Sequence, residues 1–108
     1  MTPRVIRGYD LVDDGSKLAN PRVVVTVEGN NIADGFRCDA DGNLWVGAGP
    51  GEQYDGVMVY NPDGKPIGKV SLPERCANLC FGGARRNRLF MAASHSLYSL
   101  YTNALGWR

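Results

Sequence analysis

Hydrophobic residues occur along this chain in short runs, without the spacing of a helix. The runs are rich in Val, Leu, Phe, Tyr and Trp, and Gly, Pro, Asn and Asp separate them. This pattern is typical of β-strands joined by turns. We therefore expect strands within the segments 4–11, 22–29, 35–39, 43–48, 56–61, 65–73, 78–83, 88–94 and 96–102.

Two of these runs, "LWVGA" and "LFMAA", do not alternate between apolar and polar residues. Continuous apolar runs of this length favour strands that are buried on both faces. Trp45 is expected to pack in the core between sheets, and we expect "LFMAA" to be covered on both sides as well.

Three turns carry the dipeptide Asp-Gly, in "VDDGSK", "DADGN" and "NPDGK". Asp-Gly suits tight hairpins because glycine adopts positive φ readily. The oxygens of Asp39, Asp41 and Asn43 also resemble the start of a calcium-binding EF-hand loop. That pattern fails at its sixth and twelfth positions, which are Leu44 and Pro50. A hairpin turn is the interpretation we favour.

The chain repeats itself at an interval of about 45 residues. "ADGFRCDADGNLWVGA", which begins at Ala33, aligns with "ANLCFGGARRNRLFMAA", which begins at Ala77. Four short strands per repeat are typical of a β-propeller blade. The predicted fold is all-β, a partial propeller of about two blades. As one segment over 1–108, it would hold the end of one blade (5–29), a complete blade (30–73) and most of the next (74–106).

Composition removes several classes of function. The net charge is +1, from 12 Lys and Arg and 11 Asp and Glu. This balance predicts neither nucleic-acid binding nor attraction to an anionic membrane. No apolar run approaches the length of a membrane helix, about 18 residues, and the N-terminal residues lack an apolar signal core. We expect a cytoplasmic protein.

Three cysteines, Cys38, Cys76 and Cys80, do not suit a framework of paired disulfides. Their spacing also does not suit a zinc site, since His95 is the single histidine. We interpret the cysteines as buried thiols within strands, and His95 as a surface residue of a hairpin.

Four stretches of the sequence, in their order along the chain, resemble those of a known protein family. They are "ADGFRCDADGNLWVG", "GVMVYNPDGKPIGKVSLPE", "ANLCFGG" and "RLFMAASHSLYSL". From about Val5 to Gly106, the chain resembles the C-terminal part of the gluconolactonase/regucalcin (senescence marker protein-like) family of six-bladed β-propellers. The resemblance implies hydrolysis of sugar lactones or related esters with one divalent cation, usually Ca²⁺ and otherwise Zn²⁺, Mg²⁺ or Mn²⁺.

The resemblance assigns a role to one acidic residue. In the family that the chain resembles, a Glu near the N-terminus, an Asn in the middle blades and an Asp hold the metal. Only the Asp has a counterpart in this sequence, which is Asp34. The resemblance implies that Asp34 is a metal ligand and the catalytic general base. Independently, a polar residue where the innermost strand of a blade begins would face the channel mouth, and Gly35 would allow close approach. The alternative is an aspartate that caps a turn.

Asn78 is the repeat equivalent of Asp34, and we predict that it contacts substrate or a metal-bound water. A hydrogen bond to the following turn is the alternative for Asn78. The family's other ligand positions have no counterpart here, so we expect little activity from a lone monomer. It would need further copies of itself or N-terminal propeller blades. The second hypothesis is a non-catalytic propeller fragment that associates with itself or with a partner chain.

Overall fold

Nine β-strands make up the regular structure of residues 4–107, the part of the chain that the computed structural model describes. Within this range, no helix is long and apolar enough to cross a membrane. The strands are β1 (Arg4–Val12), β2 (Lys17–Val27), β3 (Phe36–Cys38), β4 (Leu44–Ala48), β5 (Gly56–Tyr60), β6 (Pro66–Ser71), β7 (Cys76–Gly82), β8 (Arg88–Ala93) and β9 (Leu97–Tyr101).

The strands form three antiparallel sheets, in the orders β1-β2, β3-β4-β5-β6 and β7-β8-β9. Within each sheet, every strand pairs with the next one along the chain, as short hairpins require. The Asp-Gly turns have the expected conformation, since the φ angles of Gly15, Gly42 and Gly64 are 82°, 85° and 82°. The predicted all-β fold is confirmed, whereas the limits proposed for each blade stay predictions.

The second strand begins earlier than the sequence pattern predicted, at Lys17. Pro21 interrupts its apolar pattern and lacks the N–H that a strand interior needs. The pairing shifts register opposite this point, between Gly8 and Asp10. Asn20 also has a φ of 53°, in the left-handed region. The proline is therefore accommodated at an irregularity in the pairing, and β2 continues through it.

Two apolar clusters hold the three sheets together. The cluster between the first and second sheets contains Val25, Val27, Leu44, Val46 and Tyr60. The cluster between the second and third sheets contains Val57, Cys76, Leu79, Leu89 and Met91. Trp45 packs edge-on against Phe81 beside the second cluster, with ring centroids 5.3 Å apart.

The expectation that "LFMAA" is buried on both faces is wrong. Leu89 and Met91 are buried, but Ala92 on the opposite face of β8 is exposed. Leu97 in β9 is 70% exposed, whereas Val57, at the corresponding place in β5, is completely buried. The difference arises because the third sheet covers Val57, while no other sheet of the described chain covers Leu97.

The innermost strands of the second and third sheets meet through backbone contacts at two glycines. The Gly35 N–H donates to the Ala77 carbonyl, and the Gly47 N–H donates to the Gly35 carbonyl, each over 2.9 Å. A Cβ at Gly47 would lie 2.6 Å from the Cys76 carbonyl oxygen. We call this contact of Gly35 and Gly47 with β7 the inner junction. Side chains at these two glycines would push the sheets apart.

The turn between β3 and β4 contains a buried carboxylate, that of Asp39. Asp39 is 2% exposed and accepts hydrogen bonds from the Asp41 and Asn43 backbone N–H groups, the Asn43 side chain and Trp45 Nε1. Burial alone would raise the pKa of Asp39, but these hydrogen bonds bring that pKa below its ordinary value. The Asp39 carboxylate therefore stabilises a hairpin turn.

We predict that Gly47→Ala destabilises the fold by about 1–3 kcal/mol, because the new methyl group would overlap a backbone oxygen that cannot move alone. Gly68→Ala in β6 is the matched control, since a Cβ there would meet nothing closer than 4.0 Å. Its free energy of unfolding should change by less than about 0.5 kcal/mol. Urea denaturation of both variants measures the difference, and equal stabilities would contradict the inner junction.

Candidate metal and substrate site

Asp34 lies two residues before β3, at the inner junction. Its side chain is exposed, and its backbone N–H donates to the Gly47 carbonyl over 2.9 Å. Beside it is a small cavity of about 60 Å³, which is large enough for water molecules or one small polar group. The residues that line this cavity are Ile32, Asp34, Ala48, Gly49, Arg75 and Cys76.

Three parts of the chain therefore build the site: the segment before β3, the end of β4 and the start of β7. The first two run side by side. The Ile32 N–H donates to the Gly49 carbonyl over 2.7 Å, and the Asn31 side-chain oxygen accepts the Gly49 N–H over 2.9 Å. Together with the bond from Asp34 to Gly47, these contacts hold the Asp34 backbone against β4.

Asn78 is also at the inner junction, on β7. Its Oδ1 accepts the Leu79 backbone N–H over 2.9 Å and lies so close to Gly35 that a Cβ at Gly35 would overlap it. The structure thus places Asn78 beside Gly35, the residue that follows Asp34. Among residues 4–107, no hydrogen bond uses the Asn78 Nδ2 group, so this donor is the part of the side chain that a ligand would meet. Its predicted contact with substrate stays a prediction.

Cys76 contributes a buried thiol to the cavity. It is 1% exposed, and its S–H donates to the Asn78 carbonyl oxygen over 3.2 Å. Burial raises the pKa of Cys76, and the negative charge of Asp34 raises it further. The thiol therefore stays protonated at neutral pH and is a poor nucleophile.

The interpretation of all three cysteines as buried thiols is correct for Cys76 only. Cys38 and Cys80 are exposed. Both line the same cavity of about 410 Å³, which is mostly walled by Phe36, Phe81 and Trp107. No carboxylate or imidazole lines this larger cavity, so it offers no ligand for a hard cation and no general base. His95 is exposed in its hairpin as expected, and its backbone N–H donates to Glu74 over 3.0 Å.

The described residues do not form a complete metal centre. No three His, Cys, Asp or Glu side chains converge within 4–107. The exposed Asp34 carboxylate has the hard oxygen atoms that calcium or magnesium prefers, but calcium takes about six to eight oxygen ligands. Asp34 therefore fits the role of one ligand, and the remaining ligands would have to come from elsewhere.

A comparison with known protein families shows which family the chain belongs to. The family described as SMP-30/Gluconolactonase/LRE-like region matches residues 2–95. The chain belongs to this family. The resemblance expected from the sequence motifs is thereby confirmed.

Similar proteins carry lactone-hydrolase names. A gluconolactonase of Zymomonas mobilis is 34% identical over 77 residues, which are 69% of this chain and 20% of that protein. The lactonohydrolase oryH of Aspergillus oryzae is 25% identical over 103 residues, 95% of this chain and 21% of that protein. The chain therefore spans about a fifth of the length of these curated relatives.

Solved structures show the fold. An X-ray structure of a protein provisionally described as a gluconolactonase superposes with a TM-score of 0.83 at 38% identity, and the match covers 96% of this chain and 33% of that one. A luciferin-regenerating enzyme gives a TM-score of 0.77 at 20% identity, covering 96% and 40%. The predicted partial β-propeller is confirmed, and the chain corresponds to between a third and two fifths of these propellers.

Sequence reasoning missed three features of the site. Nothing in the sequence pattern marks Asn31, because it follows an Asn in a polar loop. Arg75 lies on the cavity, and within residues 4–107 it forms no ion pair. Cys76 is buried as predicted, but its place beside Asp34 was not predicted. Only the alignment of Ala77 with Ala33 could have suggested that these segments meet.

We predict that Asp34→Asn lowers the pKa of Cys76 and speeds its alkylation at neutral pH. Removal of a nearby negative charge stabilises the thiolate, so the pKa falls and the rate should rise about threefold. The rate is measured with iodoacetamide in a Cys38→Ser/Cys80→Ser background. Asp41→Asn is the control and should leave the rate unchanged. Equal rates in all three proteins would show that Asp34 and Cys76 are not electrostatically coupled.

Proposed function

We propose that this chain is the part of a divalent-cation-dependent sugar-lactone hydrolase that supplies the carboxylate Asp34 to the metal site. Calcium is the proposed metal, with Zn²⁺, Mg²⁺ and Mn²⁺ as alternatives, and a sugar lactone or a related ester is the proposed substrate. The supporting observation is the exposed Asp34 carboxylate, whose backbone is fixed at the inner junction within a motif of the gluconolactonase-like family.

The proposed reaction needs little beyond a base and a polarised carbonyl group. A bound divalent cation would polarise the lactone carbonyl. Asp34 would accept a proton from the attacking water, as a general base. The ring C–O bond then breaks, and the proton held by Asp34 passes to the ring oxygen, so that the product is an open-chain hydroxy acid. The atoms of water and lactone are all accounted for in that product.

Asn78 is the proposed contact for a substrate hydroxyl group. Its Oδ1 is already bonded to the Leu79 backbone, so the Nδ2 group would donate to the substrate. A side-chain amide that is already bonded to the backbone of the next residue loses little freedom when it binds a ligand. This favours Asn78 as an orienting group.

The chain alone is not expected to turn over substrate. Asp34 is the only carboxylate on the small cavity, and the family's other metal positions have no counterpart in this sequence. The missing ligands would come from N-terminal propeller blades or from further copies of the chain. A non-catalytic, self-associating fragment is the second candidate, and it is favoured by the absence of three converging ligands within residues 4–107. Lactone hydrolysis by a demonstrated monomer would contradict both proposals.

We predict that Asp34→Ala abolishes calcium binding by this chain, whereas Asp41→Ala preserves it. Because few oxygens are present, binding should be weak and is best followed by NMR shifts of backbone amides in a calcium titration. In the wild-type chain, the shifts should centre on residues 34–35 and 47–49. Shifts that centre on the turn at 39–43 and disappear in Asp41→Ala, or no shifts at all, would contradict a metal site at Asp34.

We also predict that the chain associates in solution. Leu97 and Tyr101 on the third sheet are 70% and 72% exposed, and Leu11 and Leu18 at the β1-β2 hairpin are 69% and 64% exposed. Uncovered apolar faces and unpaired strand edges of this kind favour association. Light scattering over a range of concentrations should show a mass above that of the monomer, and Leu97→Lys should lower it. A folded species that remains at 11.7 kDa at every concentration would contradict this expectation.

A further inference from the structure

Asn31 is a buried polar residue outside any strand. It is 3% exposed, and within residues 4–107 only Asp39 is another buried polar or charged side chain. Asp39 stabilises its own hairpin turn, but Asn31 lies in an irregular segment three residues before Asp34. A buried amide is unfavourable unless it makes hydrogen bonds, so the partners of Asn31 indicate what it does.

The side-chain partner of Asn31 is Gly49, which lines the small cavity. The Asn31 Oδ1 accepts the Gly49 N–H over 2.9 Å, and the neighbouring Ile32 N–H donates to the Gly49 carbonyl over 2.7 Å. Both backbone polar groups of Gly49 are thus bound by consecutive residues of one segment. Gly49 is itself buried, with a φ of 145°, and a Cβ there would overlap Arg75. Gly49 therefore cannot shift without disturbing the cavity wall.

Asn31 also connects the site to the first sheet. Its backbone carbonyl accepts a hydrogen bond from Arg4 Nη1 on β1 over 3.2 Å. The segment from 31 to 34 is consequently fixed at one end by Asn31 and at the other by the bond from Asp34 to Gly47. Loss of the Asn31 amide would leave the buried Gly49 N–H without its acceptor and would remove one of the bonds that hold this end of the segment.

We propose that Asn31 is a positioning residue, whose side-chain amide fixes Gly49 and thereby sets the place of the Asp34 carboxylate beside the cavity. This inference deepens the proposed function, because it names a residue that sets the geometry of the same site. It does not require that Asp34 binds metal, since the positioning is a property of the hydrogen bonds alone.

A double-mutant cycle separates positioning from general stabilisation. In the Cys38→Ser/Cys80→Ser background, Asn31→Ala is made with Asp34 intact and again with Asp34→Asn, and the alkylation rate of Cys76 is measured. If Asn31 acts through Asp34, Asn31→Ala raises the rate about threefold with Asp34 intact and has little effect with Asp34→Asn. If Asn31 only stabilises the fold, the rate rises by the same factor in both backgrounds, and the proposal is overturned.

A second measurement does not depend on Cys76. Asn31→Ala should accelerate hydrogen exchange at the Asp34 amide about tenfold, because that amide bonds to Gly47 in the loosened segment. The Gly35 amide, which bonds to Ala77 on the other sheet, should exchange as before. Val25→Ala, in the first apolar cluster, is the control for lost stability. Unchanged exchange at Asp34, or equal acceleration at both amides, would overturn the proposal.

A calcium titration tests the proposed function separately from the positioning role of Asn31. If the NMR titration shows binding at Asp34 in the wild-type chain, Asn31→Ala should weaken it about tenfold, because the carboxylate is no longer held in place. If the wild-type chain shows no calcium shifts while the double-mutant cycle and the exchange data behave as expected, the metal assignment is wrong and the positioning role of Asn31 stands.

Discussion

The arrangement of this molecule depends on the backbone contact between its second and third sheets at the inner junction. Gly35 and Gly47 let the start of β3, the end of β4 and the start of β7 approach each other more closely than side chains would allow. The hydrogen bond from Gly35 to Ala77 joins the two sheets, and the apolar cluster around Val57 and Leu89 packs behind it. The second cluster forms because the junction brings these faces together.

The same contact explains where the polar groups of the candidate site lie. Asp34 and Asn78 are far apart in the sequence, but each stands next to a backbone group that takes part in the junction. Asn31 and Gly49 continue the network to the first sheet. The site is thus built on rigid backbone, although the Asp34 carboxylate itself is exposed. A rigid support of this kind is what a metal or substrate site requires.

Much of the fold could be predicted from the sequence because local signals agreed. The Asp-Gly turns set the hairpins, and the apolar runs set the strands between them. The prediction of buried thiols at Cys38 and Cys80 was wrong, because both line an open cavity between β3 and β7. Asn31 could not be predicted, since its role arises from a contact with Gly49, eighteen positions away, that no local pattern encodes. Asp34 was singled out through its motif, and its proposed metal role still rests on that motif.

Native-state hydrogen exchange at Gly35 and Gly47 tests the central claim most directly, because these amides carry the bonds of the inner junction. The account predicts that both amides open with the same free energy as the core amides of Val46 in β4 and Leu89 in β8, so that the two sheets unfold as one cooperative unit. Exchange at Gly35 and Gly47 that is as fast as in the exposed loop at Glu52, while Val46 and Leu89 remain protected, would contradict it.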